Sequence, residues 1–397
     1  MDIPKYKTVA GLTFPPVNIV PEHTQICIHN TNMEECGNYA KLLEDSGYIK
    51  YDGREISAGS EKAYNKNLFY TYVKENEVIF VYGMASLGIV HIVATTNAPL
   101  PSVVKPFVSS DDVVIPSVIQ CKLSKGMVYA IQLADESFVL IDGDKCCDDD
   151  TRALYEFLIS KTEGTKPKVV MWMFTHPDSD HIVLATDFIK EYSECVEISS
   201  FAYQFPDCDK MKFLYIDSQK IKADIVALEN NISRYYPESV VYTLHAGQVY
   251  NFKGAEIEIL FTADTIYPYN YTSANDVSGV WRVNFEGGKS AMFLGDCMQY
   301  LCRHMAYIYG DYLKSDVLQV AHHGLIGGDI GLYKYIDPEI CLWSTSEKRF
   351  LGILEGQKYQ WCIGEGGCDF NRWIRDDSVR KRKHYHLGET AVINCEK

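Results

Sequence analysis

Three apolar, strand-like segments of this chain each end in residues that can bind a metal ion. The first, Lys168 to Phe174, leads into Thr-His-Pro-Asp-Ser-Asp-His at residues 175–181. The second leads into Gly295-Asp296, and the third into Ala321-His322-His323-Gly324. Because binding and catalytic residues collect on the loops of a rigid scaffold, these three coincidences predict one shared site.

The first motif places four potential ligands within six residues. Alternate residues of an extended segment project to one side, so His176, Asp178 and Asp180 can converge on one ion, while His181 can serve a second ion from the following turn. A plainer interpretation is a polar strand-to-helix loop in which Asp180 caps the next helix. Residues that can bind a metal also follow the other two strands, which favours a metal site over a simple helix-capping loop. A lone histidine such as His304 is interpreted as an ordinary hydrogen-bonded side chain.

The order of predicted elements indicates a large domain and a smaller one. From Met127 onward, strand-like and helix-like stretches alternate, which predicts two sheets with helices outside them. Residues 97–116 carry Pro99, Pro101 and Pro106 and are predicted to be a linker. We therefore predict a small α+β domain with its linker over residues 1–116, of undetermined role, and the larger domain over residues 117–397.

The run from Val78 to Ala94 is long and apolar enough to raise the question of a membrane helix. It contains Gly83, Gly88 and His91, with β-branched and aromatic residues on both sides of its centre. Two short buried strands joined by a turn fit this pattern better than a spanning helix. We expect no membrane association, and Met1 to Pro16 show no secretory signal.

Charge and cysteine usage restrict the partners and the compartment. The formal net charge is −15, from 38 basic and 53 acidic residues, so a long duplex nucleic acid is not an expected partner. Apart from the adjacent Cys146-Cys147, the 13 cysteines are scattered singly, without a CxxC pair. This pattern predicts reduced thiols in a cytoplasmic protein. Composition leaves the oligomeric state open.

The motifs and their order resemble the metallo-β-lactamase superfamily, whose usual pattern is HxHxDH. The resemblance is closer to the hydrolase domain of the competence protein family ComEC, in which HxDxDH, a later GD and an AHHG segment recur. The matching residues are His176, Asp178, Asp180, His181, Asp296, His322 and His323. Leu140-Ile141-Asp142-Gly143 also resembles the early strand-to-loop segment of these folds. The resemblance covers roughly residues 120–395.

The resemblance implies an α/β (α+β) fold, namely a metallo-β-lactamase-type αββα sandwich beside the smaller N-terminal α+β domain. It also implies one or two divalent metal ions, with zinc and manganese the first to test. Asp296 would bridge the ions; His176 and Asp178 would bind one, and Asp180, His181 and His322 the other. A carboxylate in place of an imidazole at Asp178 favours manganese or magnesium relative to an all-histidine site.

One histidine of the usual family pattern is missing from this chain. The broader superfamily supplies another histidine between the first motif and the GD motif, but the only histidine between residues 182 and 295 is His245, which precedes a predicted strand. One ion would therefore have fewer protein ligands. The cluster Arg380 to His384 is basic in an acidic chain; it is either a solvated face or, if folded towards the site, a phosphate contact.

The expected function is a metal-dependent hydrolase that uses a metal-bound hydroxide, with a small-molecule or short phosphodiester as the favoured substrate. Asp180 and His323 are the candidate catalytic residues. His323 would contact the substrate or protonate the leaving group, or else orient its neighbour through a backbone hydrogen bond. The alternatives are a lactone or ester hydrolase, and a non-catalytic binding protein that retains the fold.

Overall fold

The computed structural model describes most of the chain. The described residues are 3–58, 66–109, 114–123, 127–145, 148–162, 164–209, 218–266, 273–354, 369–376, 381–387 and 390–395. The strands are β1 Leu12–Thr13, β2 Thr24–His29, β3 Ile49–Ser57, β4 Lys66–Lys74, β5 Glu77–Met84, β6 Ile89–Thr96, β7 Ser117–Gln120, β8 Tyr129–Gln132, β9 Phe138–Ile141, β10 Lys168–Met173, β11 Glu197–Ile198, β12 Ser200–Tyr203, β13 Val240–Thr243, β14 Val249–Phe252, β15 Ala255–Phe261, β16 Val280–Phe285, β17 Ser290–Phe293, β18 Val317–Gln319, β19 Ile340–Trp343, β20 Lys383–His386 and β21 Ala391–Asn394. The helices are α1 Met33–Asp45, α2 Asp148–Lys161, α3 Ser179–Glu191, α4 Ser218–Tyr235, α5 Gln299–Tyr309, α6 Ile330–Ile336, α7 Glu347–Leu354 and α8 Asp369–Asp376.

The N-terminal strands form an antiparallel sheet in the order β1-β2-β6-β5-β4-β3. Helix α1 packs Tyr39 and Leu43 against this sheet, in a core that includes Tyr72. The apolar run from Val78 to Ala94 is β5, one 3₁₀ turn and β6, as predicted. Among the described residues, no helix combines the length and apolar character needed to cross a bilayer. The domain boundary at residue 116 stays a prediction.

The rest of the described chain forms two mixed sheets that pack face to face. One has the order β13-β12-β10-β9-β8-β7-β21, with β11 beside β10, and the other runs β14-β15-β16-β17-β18-β19-β20. Their inner faces share one apolar core, to which Met171 and Tyr129 come from the first sheet and Trp281 and Phe293 from the second. Alternate residues of each strand point to opposite faces, so buried strands such as β9 and β10 contribute apolar side chains to both faces of their sheet.

Helices cover both outer faces of this pair of sheets. Leu158 of α2, Phe188 of α3 and Leu228 of α4 pack on the outer face of the first sheet. Helices α5 and α6 and the N-terminal sheet cover the second, where Met305 and Phe80 join one core. The fold is therefore an αββα sandwich of metallo-β-lactamase type beside an α+β unit, which confirms the predicted fold class.

Strand direction brings the predicted motifs to one edge of the sandwich. Strands β9, β10, β12 and β13 are mutually parallel, so their carboxyl ends lie together. In the second sheet, β17, β18 and β19 are parallel as well. The segments that follow β10, β17 and β18 carry the three motifs, and each motif begins where a buried strand ends.

Several elements differ from the sequence expectations. Helix α3 begins at Ser179 instead of near Ile182, so Asp180 and His181 lie in its first turn. Helix α5 ends at Tyr309 because Gly310 follows with a positive φ of 49°. The sequence patterns did not identify β1, β2, β3, β7, β11, β12, β20 or β21. Of the predicted helix from residue 216 to 235, residues 216 and 217 lie outside the described residues.

Candidate metal centre

The first motif is positioned by the junction of β10 and α3. Asp178 occupies the position before the first helical residue, but its side chain makes no capping hydrogen bond. Its Oδ1 atom is buried and has no hydrogen-bond partner. Asp180 lies inside the first turn and is not the cap, so the plainer interpretation of this segment does not describe it. Both carboxylates are left available for the site.

Asp296 lies at the centre of the site and faces four imidazoles. Its Oδ2 atom is 3.4 Å from the Nε2 atom of each of His181, His322 and His323, and 4.0 Å from Nε2 of His176. Its Oδ1 atom is buried without a hydrogen-bond partner. Asp296 itself is 2% exposed. These separations are longer than good N–H···O bonds and leave room for a cation between the groups.

The remaining carboxylates of the first motif lie around this centre. Asp178 Oδ2 is 3.7 Å from His176 Nε2, and Asp180 Oδ2 is 3.5 Å from His323 Nε2. Two sets of possible ligand atoms each lie within 4.8 Å of one another. They are His176, His181 and Asp296, and Asp180, His181 and His323.

Other polar groups hold the imidazoles in their orientations. Asp142 Oδ2 accepts a hydrogen bond from His181 Nδ1 at 2.9 Å, and the same carboxylate accepts from the Thr175 hydroxyl and backbone N–H. Because the Thr175 hydroxyl donates to Asp142, it accepts from His176 Nδ1 at 3.0 Å. His323 Nδ1 donates to the backbone oxygen of Ser344. In these three rings Nδ1 is therefore engaged elsewhere, and Nε2 is the nitrogen that faces the site.

Close backbone packing fixes the loops that carry the second and third motifs. Gly295 has a φ of 54°, and a Cβ atom there would lie 2.8 Å from Cβ of Thr175. His322 and His323 also have left-handed backbones, with φ values of 50° and 55°. At Gly324, a Cβ atom would lie 2.3 Å from the ring of Trp343. Glycine is needed at the two glycine positions because no larger residue fits.

The electrostatics follow from burial and mutual attraction. Burial alone would raise the pKa of Asp296, but His322, His323 and His181 hold that pKa well below its usual range. Burial would lower the pKa of His181, but Asp296 and Asp142 raise it well above its ordinary value. Burial lowers the pKa of His322. Such opposed shifts in one cluster are typical of functional sites.

The residues fit a divalent metal centre. The Nε2 atoms of His176, His181 and His323 are buried without hydrogen-bond partners. Buried lone pairs left unpaired are costly, and a cation would satisfy them together with the Asp296 carboxylate. The structure brings all six predicted ligands and His323 into one cluster. Their individual roles as ligands or catalytic groups stay predictions.

Two other sequence expectations concern residues away from this cluster. Strand β20 runs parallel to β19, and Lys383 pairs with Ile340 at the amino end of that strand, whereas the site lies at the carboxyl ends. Lys381 and Lys383 are exposed, and Arg382 hydrogen-bonds to Pro338. Lys381 and Lys383 therefore belong to a solvated face, whereas the buried Arg382 side chain pairs with Asp337, 3.4 Å away. Arg380 lies outside the described residues.

His245 lies in a second buried polar cluster that the sequence did not predict. Its Nδ1 atom is 2.9 Å from Oδ2 of Asp264 and 2.7 Å from the hydroxyl of Tyr82. Gln204 donates to the same carboxylate oxygen, and Thr262 donates to the other. Tyr82 belongs to the N-terminal sheet, so this cluster joins that sheet to the sandwich.

No family model and no curated protein sequence matches this chain. Solved structures similar to it include the metallo-β-lactamase fold protein YhfI from Bacillus subtilis, at 11% identity, covering 70% of this chain and 99% of that one, with a TM-score of 0.39. The diiron β-hydroxylase CmlA from Streptomyces venezuelae shares 9% identity, covering 95% and 80%, with a TM-score of 0.41. Unliganded yeast PDE1 shares 8% identity, covering 70% and 100%, with a TM-score of 0.40. The strand order and the layers of this chain define its fold.

Proposed function

We propose that this protein is a metal-dependent hydrolase with a two-ion centre around Asp296, and that its substrate is a small-molecule or short phosphodiester. The observation that carries the proposal is that imidazoles and carboxylates surround Asp296 on several sides, with Nε2 atoms 3.4–4.0 Å from its Oδ2 atom. A single carboxylate with two sets of possible ligands beside it could hold a pair of ions. Ion pairs of this kind serve in-line displacement at phosphorus.

When bound, the ions supply an acidified water and positive charge beside the phosphoryl oxygens. Asp296 would hold them at a fixed spacing, because its own position is set by Gly295 and Thr175. Asp180 is the most exposed carboxylate of the set, at 44% of its side chain, so it would meet and orient the incoming water. Asp178, whose Oδ2 atom lies 3.7 Å from Nε2 of His176, would bind the same ion as His176.

The ligand set supports zinc or manganese as the resident metal. Imidazoles suit zinc, and the three carboxylates Asp178, Asp180 and Asp296 add the harder oxygen ligands that manganese prefers. The ComEC-like order of these motifs is the sequence feature that favours a phosphodiester. The charge of −15 favours a substrate that reaches the site without crossing a large surface.

We further propose that the protein works in the cytoplasm. Every described cysteine is a free thiol, and most are buried. A reducing compartment maintains thiols in this state.

The proposal is tested by metal analysis together with hydrolysis of bis(p-nitrophenyl) phosphate and p-nitrophenyl acetate. We expect Asp296→Asn to lose bound metal and about 10³-fold in phosphodiester hydrolysis, since metal-ion stabilisation is worth several kcal/mol. Asp264→Asn is the matched control, because it alters another buried carboxylate at the same edge and should keep metal and activity. A metal-free wild type, or an Asp296→Asn protein unchanged in both measurements, would refute the proposal. Preferential hydrolysis of the acetate ester would favour an esterase.

A further inference from the structure

We infer that an open cavity beside helix α4 binds a small organic cation, namely a primary ammonium with an apolar body. The cavity has a volume of about 330 Å³ and lies where the connection between β1 and β2 meets β12, β13 and α4. None of the described residues that line it is a candidate metal ligand. The inference therefore goes beyond the proposed hydrolase activity and does not depend on it.

Contacts within the fold hold the walls of this cavity in place. The backbone N–H of Asp207, which follows β12, donates to the carbonyl oxygen of Ile19 at 2.8 Å, so the β1–β2 connection is fixed against the end of β12. On helix α4, Ile225 packs into the core of the first sheet. The volume lies at the lower end of the range of about 300–1,000 Å³ for small-molecule sites. The cavity is therefore preformed and suits a small ligand.

The charges around the cavity are mostly negative. The described residues that line it include four carboxylates and one amine, namely Glu22, Asp207, Asp209 and Glu229, and Lys222. Asp209 pairs with the amine of Lys222 at 2.6 Å. Glu22 and Glu229 form no ion pair with any residue that the structure describes. Such a surface attracts a cation and repels an anion.

A buried histidine of the cavity specifies the kind of cation. His23 is 7% exposed, lines the cavity, and has an Nε2 atom that is buried without a hydrogen-bond partner among the described residues. Its Nδ1 atom lies 2.7 Å from the backbone oxygen of Pro21, which can only accept, so Nε2 carries the lone pair. Burial, together with the nearby His245, lowers the pKa of His23 to about 4, so the ring is neutral near pH 7. A buried lone pair needs an N–H donor, which a primary ammonium has and a quaternary ammonium lacks.

Aromatic and aliphatic side chains of the cavity favour an apolar body on the ligand. Tyr203 and Phe205 line the cavity and stack on each other, with ring centroids 4.5 Å apart and planes inclined by 26°. Val226 and Val241 also line it and remain exposed to solvent. The Tyr203 hydroxyl lies 3.5 Å from Oε1 of Glu229, so an aromatic face and a carboxylate adjoin. An ammonium beside them gains from both, and its apolar body covers the valines.

Calorimetric titration with phenethylamine tests the inference. The matched ligand is 3-phenylpropionate, which has the same ring and the same two methylene groups but a negative charge. We expect phenethylamine to bind a single site with a Kd below about 1 mM, and the carboxylate to bind at least about tenfold more weakly. A Kd above about 1 mM for phenethylamine, or equal affinities for the two ligands, would overturn the inference.

The role of His23 can be tested without altering the protein. Phenethyltrimethylammonium has the same charge and the same ring but no N–H donor. Because it leaves the Nε2 lone pair unfilled, we expect it to bind about tenfold more weakly than phenethylamine. Equal affinities would contradict the choice of a primary ammonium.

A pair of variants separates the cavity from the overall charge of the protein. Glu229→Gln should weaken the binding of phenethylamine about fivefold, because it removes a partly exposed charge next to Tyr203. Glu238→Gln is the matched control, since Glu238 is exposed, lies outside the cavity and changes the net charge equally. It should bind as the wild type does. Equal losses in both variants would show that the affinity comes from overall charge and would overturn the inference.

Asp296→Asn distinguishes this cavity from the metal centre. The variant alters the metal centre and leaves the cavity unchanged, so it should bind phenethylamine with the wild-type affinity. Loss of binding in Asp296→Asn would assign the amine to the metal centre and overturn the inference. A wild type that binds phenethylamine but no metal would refute only the proposed function.

Discussion

Two buried aspartates at the same edge of the sandwich sit beside histidines but have opposite surroundings. Both oxygens of Asp264 accept hydrogen bonds, from Thr262 on one side and from Tyr82, Gln204 and His245 on the other. Asp296 has one oxygen without a hydrogen-bond partner, and only imidazole Nε2 atoms 3.4 Å or more from the other. A buried carboxylate with its acceptors filled is structural, whereas an unfilled one needs a cation.

The histidines show the same difference. His245 turns Nδ1 towards its carboxylate. His181 and His323 turn Nε2 towards Asp296 and give Nδ1 to other acceptors. The orientation of the ring therefore separates the two clusters more sharply than residue type does, since each is built of aspartate and histidine.

The largest effect should come from removing the carboxylate of Asp264, the shared acceptor of the buried polar cluster around His245. Asp264→Ala leaves the donors of Tyr82, Gln204 and Thr262 buried without an acceptor, so we expect a loss of about 3 kcal/mol in the free energy of unfolding. Urea denaturation measures it, and the metal content per folded chain should not change. Loss of metal with unchanged stability would reverse the roles assigned to the two aspartates.

A smaller effect should follow from loosening one imidazole of the metal centre. Asp142→Asn keeps an acceptor for Thr175 but weakens the hydrogen bond that orients the His181 ring. The metal affinity should therefore fall about 10- to 100-fold. Competition with a chromophoric chelator measures the affinity, with Asp264→Asn as the control. Equal affinities in Asp142→Asn and wild type would show that His181 needs no such orientation.

An effect of comparable size should come from pH, through His23 beside the cluster around Asp264. Burial, together with the nearby His245, lowers the pKa of His23 to about 4, below the value of about 6.5 in the unfolded chain. The unfolded chain then binds more protons than the folded chain. The contribution of His23 to the free energy of unfolding is therefore complete above pH 6.5 and falls as the pH drops towards 4. Between pH 7 and pH 5 the loss is about 2 kcal/mol.

Urea denaturation at both pH values measures this loss, which should shrink by a similar amount in His23→Gln. Identical pH dependence in the two proteins would mean that His23 titrates normally in the folded state.

Local sequence patterns were sufficient to predict the sandwich and the cluster of possible metal ligands. Buried strands such as Lys168–Met173 are continuous apolar runs, and ligand-type residues at their ends converge because the strands are parallel. Strand β3 was missed because its side chains are mostly exposed or polar, so no apolar alternation identifies it. The sequence hinted at Asp142 through its strand-to-loop context, but only the fold shows that it contacts His181.

The contacts between the N-terminal sheet and the sandwich could not be predicted. Tyr82 and Asp264 are separated by 182 residues, and no local pattern reports such a pairing. The same holds for Arg54, which pairs at 2.9 Å with the fully buried Glu258. A polar residue in a strand indicates exposure from sequence alone, and only the partner from the other sheet explains its burial.

At Gly247 these two parts of the molecule also approach each other closely, without a polar contact at that position. The residue has a φ of 89°, and a Cβ atom there would lie 2.3 Å from Cβ of Phe69 in the N-terminal sheet. A single methyl group at this position would push the two surfaces apart, although it would alter none of the polar side chains that join them. The N-terminal sheet and the sandwich thus limit each other's sequence through a position that has no side chain.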